Sequence, residues 1–422
     1  MTRIFWIEVR RSPLRWVFPL LLLVDLAALF GRSRYWIGVW PQASAAAQIP
    51  AQFIGPILAG AAAWTAGRIN RRGLTDQTGA AARPMWQAEL VQFAATLTYG
   101  AAAYLVGIVA AAAVTVRQAG PGFLWPSYLL LGLAVIVGCA AAGHVFGRWS
   151  RSRIWPPVIS AIASFLLVGW LQESRSFAFG VLSAGPQLQV TRSALEARLA
   201  CAFAVAAVAV LVPTLAPRAR PGGYLRPVQL LAGGTALATL LWALQSLAVA
   251  DPLRVQRVAV RPLCSTGTPN VCLWPEDRKY LPEIEAMLAR IRTLPPGMFV
   301  VPSTFFERGL REERRGDDDF EVIEGSLWSI SPNFVGSIVN ATITTFCPAA
   351  DAAAEDRRTH AYFELDTWLE ARINGAQRPA DVHGGPPGVD VAAVGRLIDT
   401  PEQQQIEWVR QRLTTIRETP CA

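Results

Sequence analysis

Few side chains in this 422-residue sequence have the type and spacing that chemistry requires. His360 and Glu364 stand four residues apart in a stretch patterned as a helix, Asp351 to Ile373, so both leave one face and could present two metal ligands. A solvated helix face is the preferred reading, and no metal site is expected. Cys264, Cys272, Cys347 and Cys421 all follow residue 250; an even number in an exported segment reads as two disulfides with three possible connectivities. Cys264 with Cys272 would close the short loop CSTGTPNVC, which favours that pair together with Cys347 and Cys421. The rival is zinc, but the pairs lack the CxxC spacing. Cys139 and Cys201 fall inside apolar runs and read as small buried hydrophobes.

Asp25 is the other conspicuous residue, about ten residues into an apolar run, where an ionised carboxylate costs about 2.5 to 3.5 kcal/mol. It must be paired, protonated or open to a wet cavity, and a pair with another span is preferred to a transport role. No GxxxxGK[ST] loop, HExxH or GxSxG occurs. The chain is therefore expected to have no catalytic residues and to bind no cofactor of its own.

The elements that must position these residues follow from composition. The chain is 52% hydrophobic and 17% charged, against the ~25% charged of soluble domains, which marks an integral membrane protein. Residues 1 to 250 hold 20 Arg and 6 acids, whereas residues 251 to 422 hold 19 Lys or Arg and 25 acids. The basic pI thus reflects short connectors between apolar runs and gives no reason to expect nucleic acid. A single lysine, Lys279, against 38 arginines suggests a GC-rich bacterial genome.

Seven apolar runs follow one another: Trp16 to Phe30, Phe53 to Gly67, Val91 to Val116, Trp125 to Phe146, Ile154 to Leu171, Leu199 to Ala216 and Pro227 to Ala250. The last, uncharged after Arg226, exceeds the ~20 residues that cross a bilayer as a helix. Arginines concentrate in alternate connectors, so the N-terminus is expected in the cytoplasm and residues 251 to 422 outside. Residues 2 to 15 alternate apolar and charged side chains, as in an interfacial helix; a cleaved signal peptide is the weaker alternative, since Asp25 interrupts the run that follows.

After residue 250, RVQRVAVR (Arg254 to Arg261) alternates like a strand, Pro282 to Leu294 is an amphipathic helix, and GMFVV (Gly297 to Val301) is a short strand candidate. Asp351 to Ile373 and Pro401 to Arg417 read as helices, Glu307 to Asp319 as a solvated charged loop or helix end, and Gln377 to Gly388 as a loop. The expected fold is an α-helical polytopic membrane protein of seven spans with a C-terminal α/β or α+β extracytoplasmic domain. Its parts are residues 1–217, an inner connector with the seventh span at 218–250, and residues 251–422.

The membrane half resembles the permease subunits of type-2 ATP-binding-cassette transporters, in a form found in actinobacteria. The opening FWIEVRRSPLRW is similar to their amphipathic elbow helix. GRINRRGLTDQTGAAARPMWQAEL resembles the inner loop carrying their coupling helix, with an R-x-G-L-x-[DE] pattern at Arg71, Gly73, Leu74 and Asp76. The apolar piece Phe177 to Ala184 lies where that family has re-entrant helices, and the first six runs with an inside N-terminus match its core. The seventh run and the exported domain depart from that core.

The resemblance implies a subunit of the bacterial plasma membrane, paired in the bilayer with a second permease copy or paralogue. ATP and Mg²⁺ would be bound by separate ATPase subunits, and Arg68, Arg71, Arg72 and Asp76 would form the ATPase-coupling loop. The rival expectation is a non-transporting membrane anchor whose outer domain binds an envelope component.

Overall fold

A computed structural model describes residues 2–68, 85–150, 152, 154–173, 178–215, 238, 242, 252–311, 319–322, 329–343, 351–382, 385 and 389–418. The chain divides into two units, Met1–Ala184 with Leu188–Gln256, and Gly185–Gln187 with Arg257–Ala422.

The first unit is a helical bundle of α1 (Thr2–Arg11), α2 (Leu14–Phe30), α3 (Ser33–Trp36), α4 (Trp40–Gln48), α5 (Ala51–Ala66), α6 (Met85–Thr115), α7 (Pro126–Trp149), α8 (Trp155–Glu173) and α9 (Arg192–Leu215). Among the described residues four stretches are long and apolar enough to cross a membrane: Trp40–Ala66, Met85–Thr115, Pro126–Trp149 and Arg192–Leu211. The pair α1 and α2, bent by 73°, makes a fifth if taken together, and Trp155–Trp170 is apolar but shorter. The chain is thus a polytopic, mainly helical, membrane-embedded protein. Apart from Ala238 and Trp242, the run at 226–250 lies outside the described residues.

The second expected run begins earlier than its hydropathy shows. All nine residues of α4 are buried, including Gln42, Ser44 and Gln48, and α4 leads through Ile49 and Pro50 into α5. Two of these polar side chains find partners inside: the Gln48 amide donates to Phe179 O at 2.8 Å and accepts from Val181 N at 3.2 Å. Ser44 Oγ accepts from Trp125 N at 2.8 Å.

Helices α5 and α7 pack most closely. A methyl built on Gly143 would lie 2.0 Å from Ala59 O, and one on Gly147 would lie 2.2 Å from Ala63 O. The small pair Ala59 and Ala63 therefore lies against a glycine pair at the same four-residue spacing, which lets two backbones touch. Leu14, Leu21, Ile54, Leu58, Phe93, Tyr104 and Ile136 fill the surrounding core.

The apolar piece expected to be re-entrant and helical is not helical over its described residues, Ala178–Ala184. It is irregular backbone, held by Gln48 and by Arg198, whose Nε donates to Ala178 O at 2.5 Å. Its apolar composition drives burial but supplies no intrahelical bonding, so side chains satisfy the backbone instead. A short antiparallel pair follows, β1 (Leu188–Val190) with β2 (Arg254–Gln256). The strand expected across Arg254 to Arg261 is confined to those three residues of β2.

The second unit contains a four-stranded sheet in the order β3 (Leu263–Cys264), β4 (Asn270–Leu273), β5 (Thr304–Glu307) and β6 (Asp319–Phe320). The first pair is antiparallel and the other two are parallel. Helices α10 (Leu281–Ile291), α11 (Ile330–Thr342), α12 (Ala352–Asn374), α13 (Val391–Ile398) and α14 (Glu402–Glu418) accompany it. Phe334 of α11 meets Phe305 of β5 at 4.4 Å and Phe320 of β6 at 5.2 Å between ring centroids, so alternating strand residues build the core.

Helix α12 starts where Asp351 Oδ1 accepts from Ala354 N at 2.7 Å and ends at Gly375, whose φ of +80° suits glycine. Gly297 to Val301 forms a turn and irregular chain, with the strand beginning three residues later at Thr304. Gly297 at φ +78° breaks the extended geometry that GMFVV suggested.

Candidate functional site

Three sets of ionisable residues stand out among the described residues of the first unit. Asp25 is fully buried on α2, and neither carboxylate oxygen has a hydrogen-bond partner among the described residues. It lies against α6 at Gly107, where a methyl would come within 2.2 Å of Asp25 Oδ2. The expected ionic pair with another span is not formed among the described residues; the glycine makes room for the carboxyl without neutralising it.

The second group was not evident in the sequence. Glu89, one turn into α6, is fully buried between His144 and Arg148 of α7, with His144 Nε2 3.0 Å from Oε2 and Arg148 Nε 3.0 Å from Oε1. Phe93 meets the His144 ring edge to face at 5.8 Å. The i, i+4 spacing of His144 and Arg148 puts both on one face, and the glycine contacts at 143 and 147 hold α7 in place beside α5. The signal available was an ionisable pair at helical spacing inside an apolar run; its partner lay 55 residues away.

The third group lies where α1 meets the end of α5 and the middle of α6. Arg68 at the end of the second run pairs with Glu8 of α1, and Tyr99 Oη of α6 donates to Val9 O of α1 at 2.8 Å. Arg71, Arg72 and Asp76 lie outside the described residues.

In the second unit Cys264 and Cys272 form a disulfide, directly opposite one another on β3 and β4. Cys347 and Cys421 lie outside the described residues, and Cys139 and Cys201 are free and buried. His360 is exposed, while Glu364 is half-buried and held by Arg412 of α14 at 2.7 Å, so the two residues do not share one solvated face. Among the described residues no group of three or more His, Cys, Asp or Glu side chains is placed to hold a metal.

The charged run from Glu307 departs from expectation. Arg308 pairs with Glu321 and Arg311 with Asp319, but Glu307 is fully inside. Glu307 Oε2 accepts from Trp274 N at 2.8 Å, and the buried Asp277, whose oxygens make no hydrogen bond among the described residues, lies beside it. Burial raises both carboxyls, so the pair keeps a proton at pH values where free carboxyls have lost theirs. Burial, then the Asp277 charge, raises the Glu307 carboxyl well above its ordinary value. Glu307 closes a strand with period-two burial, in which it and Phe305 point inward.

Comparison with family descriptions, with curated proteins and with solved structures finds no match to this chain.

Proposed function

We propose that the chain is the permease subunit of an ATP-driven exporter of the ATP-binding-cassette type, energised by separate ATPase subunits seated on the loop between α5 and α6. In this reading the N-terminus is cytoplasmic, seven spans cross the plasma membrane, a second permease copy or paralogue completes the pathway, and residues 251–422 lie outside.

The observation that supports it is the bracing of α1. The helix bends 73° from α2 and is tied by Glu8 to Arg68, before the loop, and through Val9 O to Tyr99, after it. An interfacial helix fastened to both flanks of a charged loop can pass a push on that loop to α2, α5 and α6 as one movement.

The test uses the tagged full-length chain purified from membranes of its own host. A cassette ATPase is expected to co-purify, and replacing Arg71 and Asp76 with Ala should lower its retention or its ATPase activity while expression and the Cys264–Cys272 disulfide persist. A reporter fused after Ala422 should be active only outside the cytoplasm, and one at Gly79 only inside. Recovery of an envelope protein with no ATPase would favour the membrane anchor instead.

A further inference from the structure

Among the described residues, α2 packs chiefly on α6, α5 and α1. Their ionisable residues are already engaged or remote from Asp25. On α6, Glu89 is held by His144 and Arg148, Tyr99 Oη donates to Val9 O, and Tyr104 Oη donates to Leu129 O at 3.1 Å. Helix α5 carries no ionisable side chain. Helix α1 carries Arg3, Glu8, Arg10 and Arg11, at least fourteen residues before Asp25, or roughly 20 Å at helical rise. Among the described residues no ion pair includes Asp25 and neither of its oxygens makes a hydrogen bond, and the Gly107 backbone lies against it.

A buried charge in that position neutralises itself by taking up a proton, because the desolvation cost of the ion exceeds that of the neutral acid. We propose that Asp25 is a proton-binding site, a neutral carboxylic acid in this conformation, seated in a notch that α6 leaves open by having glycine at 107. A larger hard cation takes about six or more oxygens, and among the described residues Asp25 belongs to no group of three or more His, Cys, Asp or Glu side chains that could hold one.

Loss of the proton would create a charge that only water or a cation could stabilise, so release requires α2 to part from α6 at Gly107, and loading favours their contact. Proton occupancy is thereby coupled to the movement of α2. The inference does not rest on the exporter reading, since it concerns residues away from the ATPase loop.

The experiment uses the full-length chain in its own membranes, treated with dicyclohexylcarbodiimide, which reacts with protonated carboxyls in apolar surroundings. The acid proton goes to a carbodiimide nitrogen and the carboxyl oxygen bonds the central carbon, after which the O-acylurea rearranges to a stable N-acylurea. Peptide mass spectrometry should find the adduct on Asp25, decreasing as pH rises and absent from Asp25→Asn. A water-soluble carbodiimide should leave Asp25 unmodified.

Infrared spectra should show a protonated-carboxyl C=O band that Asp25→Asn removes. An Asp25 that stays unlabelled at acid pH and lacks that band would be an ionised carboxylate, which overturns the proposal. Equal labelling by the water-soluble reagent would overturn it too, as the sign of a wet carboxyl. The wild-type labelling stands even if the variant fails to fold.

Discussion

Glu307→Gln should convert a pH-dependent element of the second unit into a pH-independent one. In the wild type the Asp277 and Glu307 carboxyls keep a proton in a buried site, with Glu307 raised well above its ordinary 4.5. From that ordinary value upward, the folded form keeps a proton that the unfolded chain has released. Its bound-proton number exceeds that of the unfolded state, so stability falls as pH rises.

One proton gives a slope of at most about 1.4 kcal/mol per pH unit, beginning near pH 4.5 and lasting until the folded pair releases its proton. The glutamine amide mimics the protonated acid permanently. Its carbonyl oxygen can accept from Trp274 N, and its NH₂ can donate to an ionised Asp277, so the slope due to Glu307 should vanish and neutral-pH stability should rise. The assay is hydrogen exchange by mass spectrometry on the full-length protein in detergent. It follows peptides covering β4 and β5 across pH, with intrinsic exchange corrected. Equal slopes in wild type and variant, or a wild type that grows more stable from acid to neutral pH, would refute the retained proton.

Three further outcomes follow from geometry already described. Replacing Cys264 and Cys272 together with Ser should cost about 2.5 kcal/mol in urea unfolding of the second unit, because the bond closes a loop with a sequence separation of 8; an unchanged midpoint would contradict this. Arg148→Ala should leave Glu89 buried without its guanidinium and lower bundle stability by about 3 to 5 kcal/mol, seen as an earlier thermal transition that Glu89→Gln in the same chain partly restores. Gly143→Ala should destabilise by about 1 to 3 kcal/mol as its methyl meets Ala59 O. Gly138→Ala, with nothing within 4 Å of the added carbon, should be neutral or stabilising in the same melt.

The sequence carried the bundle's outline well and its polar interior poorly. Apolar length marked the spans at Met85–Thr115 and Pro126–Trp149, and the loop closed by Cys264 and Cys272 was legible from its spacing. Helix α4 was hidden because hydropathy counts Gln42, Ser44 and Gln48 as outward-facing, whereas Gln48 and Ser44 turn inward to bond backbone 81 to 133 residues away. Partners so distant leave no local trace.

Glu307 was masked by its neighbours. Arg308 and Arg311 are surface charges, and the alternation that places Phe305 and Glu307 on one face spans only four residues. Glu89 was absorbed into the inner loop, since burial of its carboxylate depends on the later arrival of α7.

That dependence bears on biosynthesis. Glu89 leaves the ribosome 59 residues before Arg148, and elongation at about 5 to 20 residues per second makes the interval roughly 3 to 12 seconds. Throughout it the nascent α6 carries an acidic side chain whose ionic partner has not yet been made. Helices α6 and α7, joined by the ten residues between Thr115 and Pro126, therefore have reason to enter the bilayer as a hairpin. The salt bridge thus makes α6 and α7 depend on one another from the moment Arg148 is made.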